Sequence, residues 1–261
     1  MSPSIIYADS HAHLTSSELY DDVDTYLARA AAAGVGAIIN ICTDDVSLKR
    51  GLALSERYPW VYQAASTTPH DVAKTGDRDF AAIAACARSG QLKAVGETGL
   101  DYHYTHSPRE VQQHFLRRYL QLALECQLPI IIHCREAFED LFKILDSDYT
   151  QQGRLVPGVL HCFTGTIREA EQVIERGWML SLSGIVTFKK SVELQTVART
   201  IPLSNLLIET DAPYLAPQGF RGKINEPAYV VHTAAFIAQL RGISIEELAQ
   251  ATLLNTQKIL N

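Results

Sequence analysis

The sequence predicts an α/β protein: a (β/α)8 barrel of the TIM type with an additional C-terminal helix, built as a single domain over residues 1–261. Three observations carry this. Short β-branched runs alternate with segments of helical spacing eight times, with no linker between the units. Eight is the number of parallel strands that closes a sheet on itself with helices outside. The glycine-rich phosphate turn of a dinucleotide-binding open sheet is missing after the first strand, where His11-Ala12-His13 stands instead.

In chain order, IIYADSH leads to ELYDDVDTYLARAAAAG, GAIINIC to DDVSLKRGLALSERY, and WVYQAAS, after a loop, to RDFAAIAACARSG. LKAVGE precedes REVQQHFLRRYLQLALECQ, PIIIHC precedes REAFEDLFKILDS, and GVLHCF precedes TIREAEQVIERG. WMLSLSG leads to SVELQTVARTI, and NLLIETD to PAYVVHTAAFIAQLRG. Two helix starts are punctuated. SPRE (Ser107 to Glu110) offers a serine cap, a proline at the first helical position and a glutamate three residues after the cap, and TIRE (Thr166 to Glu169) is a second capping box. SIEELAQATLLNTQKIL repeats the Ser-x-x-Glu pattern at Ser244 and reads as an extra helix packed outside the barrel.

Composition narrows the function classes. With 47% hydrophobic and 20% charged residues the chain can bury a large core. A net charge of −6 argues against a broad cationic footprint for duplex DNA or an anionic membrane, while leaving room for a local cationic cleft. No apolar run approaches the roughly 18 residues of a membrane span, and no basic segment followed by an apolar core opens the chain. A cytoplasmic setting is expected, with no obligate protein partner. The cysteines (Cys42, Cys86, Cys126, Cys134 and Cys162) are odd in number and form no CxxC pair, which fits reduced thiols. Cys134 and Cys162 each follow a histidine, and strand alternation turns them toward the helix layer as small core residues.

In such a barrel the chemistry lies at the C-terminal ends of the strands. Strand one ends with His11 and His13, strand four with Glu97, strand five with His133, strand six with His161 and strand eight with Asp211. A lone histidine at a strand end is more often a hydrogen-bonded structural residue than a ligand. Together, four histidines and two carboxylates on one rim point to divalent metal. Six ligands exceed what one catalytic site with an open position needs, so two cations sharing a bridging carboxylate are expected. The histidines favour zinc, and the carboxylates leave room for magnesium or manganese. Alternation places Asp9 on the face of His11 and His13, one layer lower, in a supporting role. Glu209 stands in the same relation to Asp211.

The H-x-H after strand one, GETGLDY, PIIIHCREA, GVLHCFTG, LSGIVTFK, LLIETDAPYLAP and RGKINEPAYV, in this order, resemble the TatD family of metal-dependent hydrolases from about residue 7 to the C-terminus. The resemblance implies a TIM-barrel hydrolase with two divalent cations (Zn, Mg or Mn), whose members include deoxyribonucleases acting as 3′ to 5′ exonucleases on single strands. It further implies that His11, His13 and Asp211 hold one cation, His133 and His161 the other, and that Glu97 bridges them. Asp211 then orients or deprotonates the attacking water. Single-stranded DNA ends become the expected partner. A deacylase or amidohydrolase acting on an ester or amide, such as an aminoacyl-tRNA, is the alternative, because fold does not separate the two.

Arg221 and Lys223 in FRGK, with Lys189 and Lys190 in TFKK, are candidates for substrate phosphates. Tyr102 and Phe163 are candidates for stacking on a base, and Asp101 for the mouth of the site. HYTHSPRE after GLDY departs from the family pattern and leaves His103 and His106 without a role. His70, His114 and His232 fall in loop or helix contexts and are assigned none.

Overall fold

A computed structural model describes residues 5–104, 106–149 and 158–261; Thr105, within HYTHSPRE, lies outside the described residues. The eight β-rich runs form parallel strands that pair in sequence order: β1 (Tyr7–Ala12), β2 (Val35–Cys42), β3 (Val61–Ala65), β4 (Ala94–Asp101), β5 (Ile130–Arg135), β6 (Val159–Leu160), β7 (Met179–Leu182) and β8 (Leu206–Ile208). Helices follow each strand: α1 (Val23–Ala32), α2 (Asp45–Arg57), α3 (Val72–Arg88), α4 (Arg109–Cys126), α5 (Phe138–Asp148), α6 (Ile167–Glu175), α7 (Val192–Thr200) and α8 (Val230–Arg241), with α9 (Ile245–Leu260) added at the end.

The strands read as continuous apolar runs because both faces are buried. Outward residues such as Ile38, Val95, Ile132, Leu180 and Ile208 join the helices in one large core. Ile39, Ile41, Ala64, Ala94, Ile131, Val159, Met179 and Leu207 form a second cluster, with small and large side chains interleaved as a barrel interior requires. Helix α9 does not stay wholly outside, as its amphipathic pattern suggests. It packs on β1 and β8, and its last residues, Ile259 and Leu260, belong to the interior cluster.

Two local expectations change. Ser107 does not cap α4; its hydroxyl donates to the His70 carbonyl (2.8 Å) and accepts the Ala73 amide (3.1 Å), tying the β4–α4 loop to the start of α3. Helix α3 starts at Val72, several residues before RDF. Gly76 reads as a loop residue but sits inside the helix, where an added Cβ would lie 2.4 Å from the Phe115 ring. It is a packing glycine between α3 and α4.

The barrel nearly closes between β8 and β1, where the strand ladder is reduced to one bridge, Ala12 to Ala212. His13 N donates to Ala212 O (2.7 Å) and Asp211 N to His11 O (2.9 Å). Asp9 adds the remaining links. Its carboxyl group accepts the Thr210 amide through Oδ1 (2.9 Å) and places Oδ2 2.5 Å from the Thr210 hydroxyl. A register shift in β1 between Asp9 and Ala12 breaks strict alternation, which turns Asp9 to the seam instead of beneath the histidines. Burial, reinforced by the charge of Glu209, pushes the Asp9 carboxyl up to about 8. Near neutral pH it is therefore largely protonated and carries both an acceptor and a donor, as asparagine does. Asp9→Asn is expected to change stability little, whereas Asp9→Ala leaves the buried Thr210 amide and hydroxyl without this partner and should cost roughly 2 kcal/mol or more in urea denaturation.

Candidate metal centre

Strand ends bring six side chains together. His11 lies within β1 and His13 just beyond it, Glu97 and His133 come from β4 and β5, His161 follows β6 directly, and Asp211 lies three residues beyond β8. Five of them line a cavity of about 840 Å³; His11 is fully buried beneath it.

The donor atoms form two sets that share Glu97. In the first, Glu97 Oε2 lies 3.4 Å from His11 Nε2 and 3.5 Å from His13 Nε2. Asp211 Oδ1 is 3.7 and 3.4 Å from the same two nitrogens, which are 3.3 Å apart. A tetrahedron whose corners stand 2.0–2.1 Å from its centre has edges of about 3.4 Å, so these four atoms match the donor spacing of a small divalent cation. In the second set, Glu97 Oε1 is 2.8 Å from His161 Nε2 and 3.1 Å from His133 Nδ1, which are 3.4 Å from each other. The residues therefore fit a pair of cations, and His11–His13–Asp211 and Glu97–His133–His161 each meet the spacing of a metal-ligand group.

Electrostatics agrees with the geometry. Burial pushes the Glu97 carboxyl upward, but His161, His11 and His133 overcome this and hold it well below the ordinary carboxylate range. Asp211 is likewise held low by His13, His11 and His161 against its burial. Burial and repulsion from His161 lower His11, whereas the carboxylates raise His13, His133 and His161 against burial. Two ionised carboxylates thus call for positive charge between the imidazoles, which protons or cations can supply.

A further layer orients the rings. His133 Nε2, the nitrogen away from Glu97, is 2.9 Å from Asp101 Oδ2. Asp101 Oδ1 accepts the amides of His103 (3.0 Å) and Tyr104 (2.9 Å). Although burial opposes it, the bonds from His133 and Tyr104 bring the Asp101 carboxyl down to about 2. Glu209 Oε1 accepts the Cys162 amide (2.7 Å) and lies 3.5 Å from His161 Nδ1, so Glu209 supports the rim from below. Carboxylates in these positions fix which ring nitrogen turns inward.

Several cavity residues carry no local signal in the sequence. His70, in the loop after β3, reaches to 3.6 Å from Asp101 and 5.5 Å, ring to ring, from His133. Arg50 of α2 and Arg135 at the end of β5 bring guanidinium groups to the wall, and Tyr104 and Tyr214 bring aromatic rings. Cys162 faces the cavity rather than the helix layer, because its backbone is left-handed (φ 42°) and its thiol meets the Ser183 hydroxyl.

Both stacking candidates are corrected. Phe163 is 2% exposed and packs edge-on to Phe138, closed to any base. Tyr102 donates its hydroxyl to Asp140 (2.9 Å), accepts from Gln113 and carries Arg109 over its ring, away from the cavity wall. Arg221 lies over the Phe188 ring and Lys223 near Phe220, exposed outside the cavity. They share the loop after β8 with the wall residues Tyr214 and Leu215. His103 pairs with Glu136, and His106 stacks on Tyr104.

An eight-stranded barrel with this set of donors at its mouth defines a metal-dependent hydrolase. The sequence matches the family described as TatD related DNase over residues 8–261, and the chain belongs to that family. It is 38% identical over 251 residues to the uncharacterized metal-dependent hydrolase YabD of Bacillus subtilis, covering 96% of this chain and 97% of that one. It is 36% identical over 256 residues to a protein of Citrobacter rodentium named 3′-5′ ssDNA/RNA exonuclease TatD, covering 96% of each. The crystal structure of YjjV, a TatD homolog from Escherichia coli, superposes with a TM-score of 0.91 at 33% identity over 98% of both chains. No helix among the described residues is long and apolar enough to cross a membrane.

The Asp101–His133 contact yields a direct test. Asp101→Asn keeps an acceptor for the loop amides but offers an N–H to His133 Nε2, which favours the tautomer whose Nδ1 carries the proton and faces Glu97. Divalent-metal affinity should fall roughly 10- to 100-fold, measured by competition with a chromophoric chelator, with the circular dichroism spectrum unchanged.

Proposed function

We propose that this protein is a 3′ to 5′ exonuclease acting on the ends of single-stranded DNA. The observation that carries the reading is the Glu97 carboxylate with one oxygen toward each of two donor sets, open to a cavity of about 840 Å³. The substrate class is supported by relatives named as ssDNA/RNA exonucleases. In this reading His11, His13 and Asp211 hold one cation, His133 and His161 the other, and Glu97 spans both. Bound divalent cations would lower the pKa of water toward neutrality and offset charge on the phosphoryl oxygens. Asp211 orients the attacking water and accepts its proton. Arg50 and Arg135 suit the non-bridging phosphate oxygens, and Arg221 and Lys223 suit phosphates farther along the strand.

Charge decides how the substrate can enter. The cavity wall carries Asp44, Asp71, Glu97, Asp101 and Asp211 against Arg50, Arg135 and four histidines, so that without charge on the imidazoles or in the donor sets its balance is acidic and repels a polyanion. In this reading cations in the donor sets relieve that repulsion and so serve binding as well as chemistry. Removal of metal with a chelator should abolish binding of a labelled oligonucleotide in fluorescence anisotropy, and added magnesium, manganese or zinc should restore it.

Asp211→Asn should lower kcat roughly 100-fold or more while leaving the melting temperature near that of the parent, which steady-state assays and calorimetry would show. The reading itself is tested on 3′-blocked and unblocked single strands beside aminoacyl esters and small amides. Selective loss with the 3′ block supports it; turnover of esters or amides alone would overturn it.

A further inference from the structure

Tyr214 is the cavity aromatic that nothing else in the site explains. It is 51% exposed, and its ring contact among the described residues is the edge of His13, at 5.9 Å and 67°. Tyr104, the other exposed tyrosine of the wall, is already occupied: His106 stacks on it at 5.4 Å and 14°, and Arg135 lies 5.0 Å from its ring centre. The backbone that presents Tyr214 is fixed. Its amide donates to Asp211 O (2.8 Å), and the fully buried Asn225 donates through Nδ2 to both Thr210 O (2.8 Å) and Tyr214 O (2.6 Å). An exposed ring on a rigid support, beside a candidate cation ligand, has little entropy to lose on binding a planar partner.

The surroundings select what that partner is. Leu215 and Ile185 continue an apolar edge next to Tyr214. The same two loops carry Lys189, Lys190, Arg221 and Lys223 as exposed cations, complementary to a phosphate backbone. A partner with a flat apolar part and an anionic tail fits this arrangement, and a nucleotide at the end of a strand has both.

We propose that Tyr214 is the shelf on which the base of the terminal nucleotide stacks, holding the adjoining phosphodiester against the His13 side of the donor cluster. This rests on the nucleic-acid reading above. Stacking of this kind tolerates any base, since every base offers a π-face, so the shelf positions the strand end without reading its sequence. Tyr214 thus acts in substrate binding and takes no proton.

The test uses the metal-loaded full chain and two single strands, one ending in an ordinary nucleotide and one ending in an abasic nucleotide. On the ordinary strand Tyr214→Leu should raise KM roughly 5- to 100-fold with a smaller change in kcat, and Tyr214→Phe should behave as the parent. The parent should lose the same factor in KM on the abasic strand, and Tyr214→Leu should lose nothing further there. Binding measured in the Asp211→Asn background should follow the same pattern. An unchanged KM for Tyr214→Leu on the ordinary strand, or an equal further loss on the abasic strand, would overturn the shelf while leaving exonuclease action intact. Failure of the parent to cleave any strand would overturn the exonuclease reading and the shelf with it.

Discussion

A single buried carboxylate within 3.5 Å of four imidazole nitrogens is the contact on which the rest of this protein depends. Glu97 comes from β4, and the imidazoles come from β1, β5 and β6, so the contact exists only if the sheet curves far enough to bring distant strands to one point. A buried charge with misplaced partners costs several kcal/mol, which makes the curvature an electrostatic requirement as well as a packing one. The β8–β1 seam completes it. Asp9 fixes Thr210, Thr210 precedes Asp211, and the Asp211 amide is tied to His11 O. Seam and donor cluster are two parts of one hydrogen-bonded unit. Asp211 itself adopts a left-handed backbone (φ 59°), a conformation that aspartate tolerates better than most residues.

The acidic wall gives the cluster a second consequence. A chain of net charge −6 whose cavity wall holds five carboxylates against two arginines has no general attraction for nucleic acid. In the proposed reading, affinity arises locally, from cations in the donor sets, from the wall guanidiniums and from the Tyr214 edge. On that reading, substrate affinity and turnover would depend on the same occupancy.

The barrel and the six converging donors were legible in the sequence because barrel geometry places every strand's C-terminal end on one rim, so strand order alone predicts proximity. Side-chain direction was less legible wherever alternation breaks. The register shift in β1 redirects Asp9, and the left-handed backbone at Cys162 turns Phe163 into the core and the thiol toward the cavity. Gly76 looked like a loop because the pressure of the Phe115 ring on that helix is invisible locally. Arg50 and His70 reach the cavity through tertiary placement of α2 and the β3–α3 loop, for which neither residue carries a motif.

The donors and the proposed substrate contacts occupy different parts of the fold, and Asp101 is where they meet. One oxygen orients His133, while the other holds the amides of His103 and Tyr104 at the start of the HYTHSP loop. The carboxylate that orients His133 thus also holds the first two amides of that loop. Strand ends therefore preserve the chemistry, and the loops after β4 and β8 shape what reaches it. Coupling through Asp101 makes the separation incomplete. A loop change that disturbs either amide also moves the partner of His133, so substitutions meant to alter substrate choice on this side act on metal affinity too, whereas those around Tyr214, where no such carboxylate intervenes, act on the substrate with the His133 donor set left in place.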